Sequence, residues 1–122
     1  MKLQDIVNGV EALRKVADMP MPALQAYRLG VFIRKVAPYV EEFQSKRLSL
    51  AKMLGKAEGD KFVIPPENGE AFTEQLRPLL DEDVPVEPPK LRIDALGGNL
   101  TPSEMLSILW LFEDGNDAEE GL

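Results

Sequence analysis

Two apolar stripes at helical spacing, separated by Asp18-Met19-Pro20-Met21-Pro22, constrain this chain more than any other feature. In the first, Leu3, Ile6, Val10, Leu13 and Ala17 recur at intervals of three and four, and Val7 and Val16 widen the face. That pattern predicts an amphipathic helix from Lys2 to about Ala17 with one side buried. In the second, Ala26, Leu29, Ile33, Val36, Val40, Phe43, Arg47, Leu50 and Leu54 keep the same alternation, with Arg47 as the one polar intruder. It predicts a long helix from about Pro22 to Leu54, ended by Gly55. The two prolines between the stripes stop one helix and can start the next, and so short a break favours an antiparallel hairpin.

Two residues inside these helices interrupt the pattern. Gly9 costs roughly 1 kcal/mol against alanine in a helix interior, so it either marks a close helix contact or is simply tolerated. Pro38 lacks an N–H and crowds the carbonyl of Arg34, which predicts a kink or a break there.

Beyond Gly55 the helical period is lost as far as Asn68. Lys61-Phe62-Val63-Ile64 reads as a short strand ended by Pro65-Pro66. A third helix is expected from about Glu67 to Asp81, with Phe72, Leu76, Leu79 and Leu80 on one face and Pro78 disturbing its last turn. Pro85, Pro88 and Pro89 force Val84–Leu96 to be extended, and the alternation around Leu91 and Ile93 suits an edge strand that could pair with Phe62–Ile64. A final helix has the clearest local signature. Thr101 is its N-cap, Pro102 takes the first helical position and Glu104 completes a capping box, worth about 1–2 kcal/mol with a Leu100–Met105 staple. Met105-Leu106-Ser107-Ile108-Leu109-Trp110-Leu111-Phe112 then reads as a helix that is apolar almost all round.

The fold class expected is therefore mainly α (α+β): an N-terminal antiparallel helical hairpin, further short helices and a small two-stranded β element. Residues 1–112 are expected to form one helical domain and 113–122 an acidic flexible tail. The core is expected to include Leu13, Ile33, Val36, Val40, Phe43, Phe72, Leu76, Leu109 and Trp110.

Composition narrows the chemistry. The 122 residues contain no cysteine and no histidine. Disulfides, thiolate metal sites and thiol catalysis are thereby excluded, and so are histidine-based triads and zinc fingers. The opening Met1-Lys2-Leu3-Gln4-Asp5 is not a signal peptide in pattern, and Met105–Phe112 is too short an apolar run to span a bilayer. No enzyme activity, metal, cofactor or membrane contact is expected, and the address expected is the cytoplasm.

The net charge of −7 is unevenly distributed. Residues 1–57 carry +5 and residues 58–122 carry −12. Glu113, Asp114, Asp117, Glu119 and Glu120 are unopposed, so the body without the tail is close to −2. The two halves can neutralise each other within one molecule, which is the favoured reading, or pair head-to-tail between molecules.

Each candidate site has a plain alternative. Glu41-Glu42 and Asp81-Glu82-Asp83 are paired carboxylates, but neighbours on a helix point apart and a corner is well solvated, so catalysis is disfavoured. Asp114-Gly115-Asn116-Asp117 lacks the ligand spacing of a calcium loop. Arg28, Arg34, Lys35, Lys46, Arg47 and Lys52 could meet phosphates, yet Glu41 and Glu42 interrupt them, and nucleic acid is disfavoured against a solvated helix face. The last helix is the most informative. One that is apolar all round is either wrapped by its own fold or docked on a partner, with Trp110 as anchor. Leu106, Leu109, Trp110 and Phe112, with Asp81, Glu82 and Asp83, are the candidate partner-interface residues.

The order of features carries a resemblance. Asp5-Ile6-Val7-x-Gly9-x-x-Ala12-Leu13 precedes Pro22-Ala23-Leu24-Gln25-Ala26-Tyr27-Arg28-Leu29, then Glu42-Phe43-x-x-x-Arg47 and Leu54-Gly55. Pro66-Glu67-Asn68-x-x-x-Phe72, Leu79-Leu80-x-x-x-Val84 and Leu100-Thr101-Pro102-Ser103-Glu104 follow. In length and layout the whole chain resembles small uncharacterised proteins encoded by tailed bacteriophages and prophages. The resemblance rests on packing and capping residues and transfers no catalytic or binding residue. Pro38 departs from the unbroken helix it implies. It implies a phage origin and a location in the host cytoplasm or the virion. The function expected is non-enzymatic protein–protein interaction, through a protein partner or self-association, in virion structure or assembly. The alternatives are an acidic inhibitor of a host or defence protein, and a nucleic-acid-associated accessory protein using the basic second helix.

Overall fold

The computed structural model describes residues 1–113. Its elements are α1 (Leu3–Asn8), α2 (Val10–Ala17), α3 (Ala23–Leu54), β1 (Lys56–Glu58), β2 (Lys61–Val63), α4 (Pro66–Leu80) and α5 (Pro102–Ser107), with 3-10 turns at Ile93–Ala95 and Leu109–Leu111. The fold is mainly helical, with an N-terminal helical hairpin and one two-stranded antiparallel sheet. The expected flexible tail beyond Glu113, and Asp114-Gly115-Asn116-Asp117 within it, lie outside the described residues.

The hairpin forms where the apolar stripes meet. Leu13 and Val16 of α2 and Leu29, Phe32, Val36 and Phe43 of α3 are buried in one cluster. Each such side chain contributes about 1.5–3 kcal/mol on leaving water. Ile33 and Val40 pack against that cluster while half-buried, as do Leu76 and Trp110. Phe72, expected in the core, is half-buried and lies outside the cluster.

The first stripe is not one continuous helix. It divides at Gly9, whose φ of −101° and ψ of 3° leave the helical region and whose amide donates to the carbonyl of Ile6 at 3.1 Å. The cause is tertiary. A Cβ on Gly9 would sit 2.7 Å from the Ser107 carbonyl oxygen and 2.8 Å from Cγ2 of Ile108. Gly9 therefore marks a close contact, made with the C-terminal segment.

That segment departs from expectation in the same region. The capping box is present: Thr101 Oγ1 accepts from the Glu104 amide at 3.1 Å, and Glu104 Oε1 accepts from the Thr101 amide at 2.8 Å. The helix it starts ends at Ser107, well short of Phe112. Ile108 turns the chain at φ −129°, and a 3-10 turn follows. A straight helix would point its apolar residues to all sides. The unwound path instead brings Ile108, Leu111 and Phe112 to 1% exposure or less. Phe112 then runs alongside Leu91, whose amide donates to Leu111 at 2.9 Å and whose carbonyl accepts from Glu113 at 2.8 Å.

This pairing also explains why Leu91 does not join Phe62–Ile64. β2 pairs with β1 in the register Lys56–Val63, Ala57–Phe62, Glu58–Lys61, across a two-residue turn. Gly59 holds that turn at φ +59°, in the left-handed region glycine favours. Ile93, expected in a strand, lies in a 3-10 turn. At the other end Met1–Leu3 forms an unexpected antiparallel bridge to Glu82–Val84: Leu3 donates to Glu82 at 2.9 Å and Val84 to Met1 at 2.7 Å.

Neither proline breaks its helix. α3 continues through Pro38 and α4 through Pro78. Pro38 and Arg34 are both exposed, so the carbonyl that loses its donor can bond water. Past Phe43, α3 leaves the core, which is why Arg47 is accommodated in the stripe: it is exposed. α4 packs back along this part, and the Asn68 side-chain amide donates to the carbonyl of Leu54 at 2.7 Å, satisfying one orphan acceptor at the helix end.

Helix propensity alone predicts that Gly9→Ala stabilises the protein by roughly 1 kcal/mol. The contact with Ser107 and Ile108 predicts the opposite, a loss of about 1–3 kcal/mol from overpacking. Urea unfolding of the two proteins decides the sign.

Candidate functional site

Three places on the described surface bear most on a ligand or partner. One is a groove of about 210 Å³ between α2 and α3. Val10, Leu13, Ala17, Ile33, Val36, Ala37 and Val40 line it, with Arg14 and Glu41 as its charged members. Arg14 is turned to Glu11 at 3.2 Å. This is a depression in a helical hairpin, suited to an apolar side chain and poor in groups that could transfer a proton.

The second place is an exposed flank of α3 with the hairpin after it. At 3.6 residues per turn Arg28, Lys35, Tyr39, Lys46 and Met53 fall within about 40° of one another. All are exposed, Met53 at 77%. Tyr27, at 68%, stands near the start of the helix beside a second hollow shared with Val31, Glu87 and Pro89. Leu24 and Leu48 are exposed on the same helix, and Phe62 and Val63 on β2. Lys46 is paired with Glu42 at 3.7 Å, and Arg28, Arg34, Lys35, Arg47 and Lys52 are solvated.

The third place gathers the residues that sequence reasoning singled out, and the structure separates them. Leu109 and Phe112 are buried in the chain's own interior and cannot meet a partner in this fold. Trp110 is half-buried: its ring stands 5.6 Å from that of Phe32, and its indole N–H donates to the Ser107 carbonyl at 3.1 Å. Leu106, 55% exposed, is left on the surface. Asp81, Glu82 and Asp83 are exposed, but they border the N-terminal bridge. Lys2 stands 3.6 Å from Asp81, and Glu82 gives its carbonyl to Leu3.

Among the described residues no group of three or more acidic side chains converges to hold a metal ion. No described helix is long and apolar enough to cross a membrane. Sequence reasoning missed Val84 and Leu91 as core residues and Lys56–Glu58 as a strand. A residue between prolines and a strand of three residues carry no periodic signal.

One carboxyl among the described residues has a shifted acidity. Glu104 is held below the ordinary glutamate range, first by the Thr101 amide and then by the Lys15 ammonium at 3.1 Å. A carboxyl whose pKa is lowered by folding stabilises the fold above its unfolded pKa, and that contribution is lost as pH falls through the folded value. Glu104→Gln keeps the capping shape and removes the charge. The unfolding midpoint of the variant should lie below wild type at pH 7, and the two should converge in acid below the glutamate range. A difference that persists there would assign the effect to shape alone. Compared with protein-family models, curated proteins and solved structures, the chain matches none of them.

Proposed function

We propose that this chain is a non-enzymatic protein–protein interaction protein, and that its working surface is an exposed flank of α3 with the β1–β2 hairpin. The observation that carries this reading is where large apolar side chains face water. Leu24, Tyr27, Tyr39, Leu48, Met53, Phe62 and Val63 all lie on α3 or β2, and only Leu106 among those described lies elsewhere. Scattered single residues of this kind are ordinary, but Leu24, Tyr39 and Met53 fall within about 60° of one another along α3, with Tyr27 and Leu48 further round it, and a line of large apolar residues on one side of a helix is the pattern of a contact face. Interleaved cations at Arg28, Lys35 and Lys46 would give such a face a polar rim.

The resemblance to small phage and prophage proteins supplies the setting of the proposal: a part of the virion or a factor in its assembly, working in the host cytoplasm or the particle. The acidic-inhibitor reading is weakened by the joint at Asp81–Asp83, where the backbone bridges to Lys2 and the Lys2 ammonium stands 3.6 Å from Asp81. A nucleic-acid role on α3 is weakened by Glu42, which stands one turn from Lys46 and pairs with it.

The test uses the full chain as bait in cells that carry its natural neighbours. Wild type should retain a protein in fixed stoichiometry. The triple variant Leu24→Ser, Tyr39→Ser, Met53→Ser should release it, with stability within about 0.5 kcal/mol per substitution because these sites are exposed. Equal retention by the variant would remove the α3 face from the proposal, and retention of nucleic acid alone would overturn it.

A further inference from the structure

Strand β1 presents an unused hydrogen-bonding edge whose charges complement themselves. Its three residues, Lys56-Ala57-Glu58, are all exposed. Among the described residues no backbone hydrogen bond from outside the hairpin reaches them. The two-residue turn at Gly59-Asp60 closes on the pair Glu58–Lys61. In such a hairpin the closing pair exchanges hydrogen bonds, and pairs then alternate between bonded and non-bonded. Lys56–Val63 is therefore bonded, and Ala57–Phe62 is not. It follows that the N–H and C=O of Ala57 point away from β2, toward the free edge.

We infer that this edge pairs with the same edge of a second copy of the chain, joining two hairpins into one four-stranded antiparallel sheet about a two-fold axis at Ala57. The inference rests on the interaction reading above and names one partner for it. In that register the two Ala57 residues exchange a pair of backbone hydrogen bonds. Lys56 of each chain lies opposite Glu58 of the other, giving two cross-strand ion pairs. Glu58 then stands between two cations, its hairpin neighbour Lys61 and the second copy's Lys56. On the opposite sheet face Ala57 and the exposed Phe62 of both chains form one apolar row.

Charge selects both the register and the occupant. Sliding the pairing by two residues sets Lys56 against Lys56, or Glu58 against Glu58, and like charges directly opposite are destabilising. The other edge offers no such match, because pairing β2 with itself about Phe62 places Lys61 opposite Val63. A strand reading positive, neutral, negative meets its complement in its own reversed copy. A lone two-stranded hairpin is also marginal in water, whereas four strands with an apolar row support one another.

The experiment is sedimentation velocity on the full chain at low salt, up to about 1 mM because an interface this small binds weakly. Wild type should show a reversible monomer–dimer equilibrium that weakens with added salt. Lys56→Glu and Glu58→Lys should each weaken it by about tenfold, since each replaces two attractive pairs by two repulsive ones. An equimolar mixture of the two variants should regain dimer, because a strand with two carboxylates fits a strand with two cations. The double variant carrying both changes is again self-complementary across the edge and should dimerise more strongly than Glu58→Lys alone, which shares its like-charge pair with Lys61. Ala57→Pro, which removes the outward N–H without touching the hairpin's own bonds, should leave a folded monomer. A monomer throughout the concentration range overturns the inference while leaving capture through the α3 face unaffected. A dimer indifferent to both charge reversals, or a mixture that fails to recover, overturns it as well.

Discussion

The C-terminal apolar segment has to be covered on every side, and much of the architecture follows from that. Ile108, Leu111 and Phe112 are almost wholly excluded from water. One wall is the bend at Gly9, where the backbone approaches the Ser107 carbonyl too closely for any side chain. Another is Phe32 of α3, against which the Trp110 ring lies tilted. Leu91 supplies the backbone pairing that Phe112 and Glu113 need once the chain has left the helix. Each backbone group buried there without a partner would cost about 1–3 kcal/mol, comparable with what one apolar side chain gains on burial, and the Leu91 bridge removes that cost.

Once that centre is filled, the rest of the molecule divides into a body and a projection. Val84 and Leu91 fix the proline-rich stretch to the body, and Met1–Leu3 closes it against Glu82–Val84. The acidic corner is thereby part of a joint between the chain's beginning and its middle. α3 outlasts the core: beyond Phe43 it has α4 and the β1–β2 hairpin beside it, and its remaining faces are solvated. The hairpin lies at this far end, where nothing in the body competes for its edge. Interaction surfaces are expected in such a place, because residues freed from packing can be chosen for contact.

Local signals in the sequence were sufficient wherever a structure closes on neighbours in the chain. The two stripes and the Pro20–Pro22 break determined the helical hairpin, and the Thr101–Glu104 box determined where α5 starts, since capping involves atoms three residues apart. The small two-stranded sheet was legible as an element, and Phe62–Val63 as one of its strands. The absence of histidine and cysteine determined which chemistries the chain cannot perform.

What only the tertiary structure decided are the choices between partners distant in sequence. Leu91 could have paired with β2 or with Phe112, and the burial of Phe112 selected the latter. Apolarity on all sides of Met105–Phe112 was compatible with a wrapped core element or a docked one. The answer came from Gly9, roughly a hundred residues away, because only a bare backbone there lets the segment in. The same contact divided the first helix, whose periodicity gave no sign of a break, and left Leu106 outside while drawing Leu109 inside. Pattern reports which residues avoid water; which other residues cover them depends on packing in three dimensions, where sequence separation has no meaning.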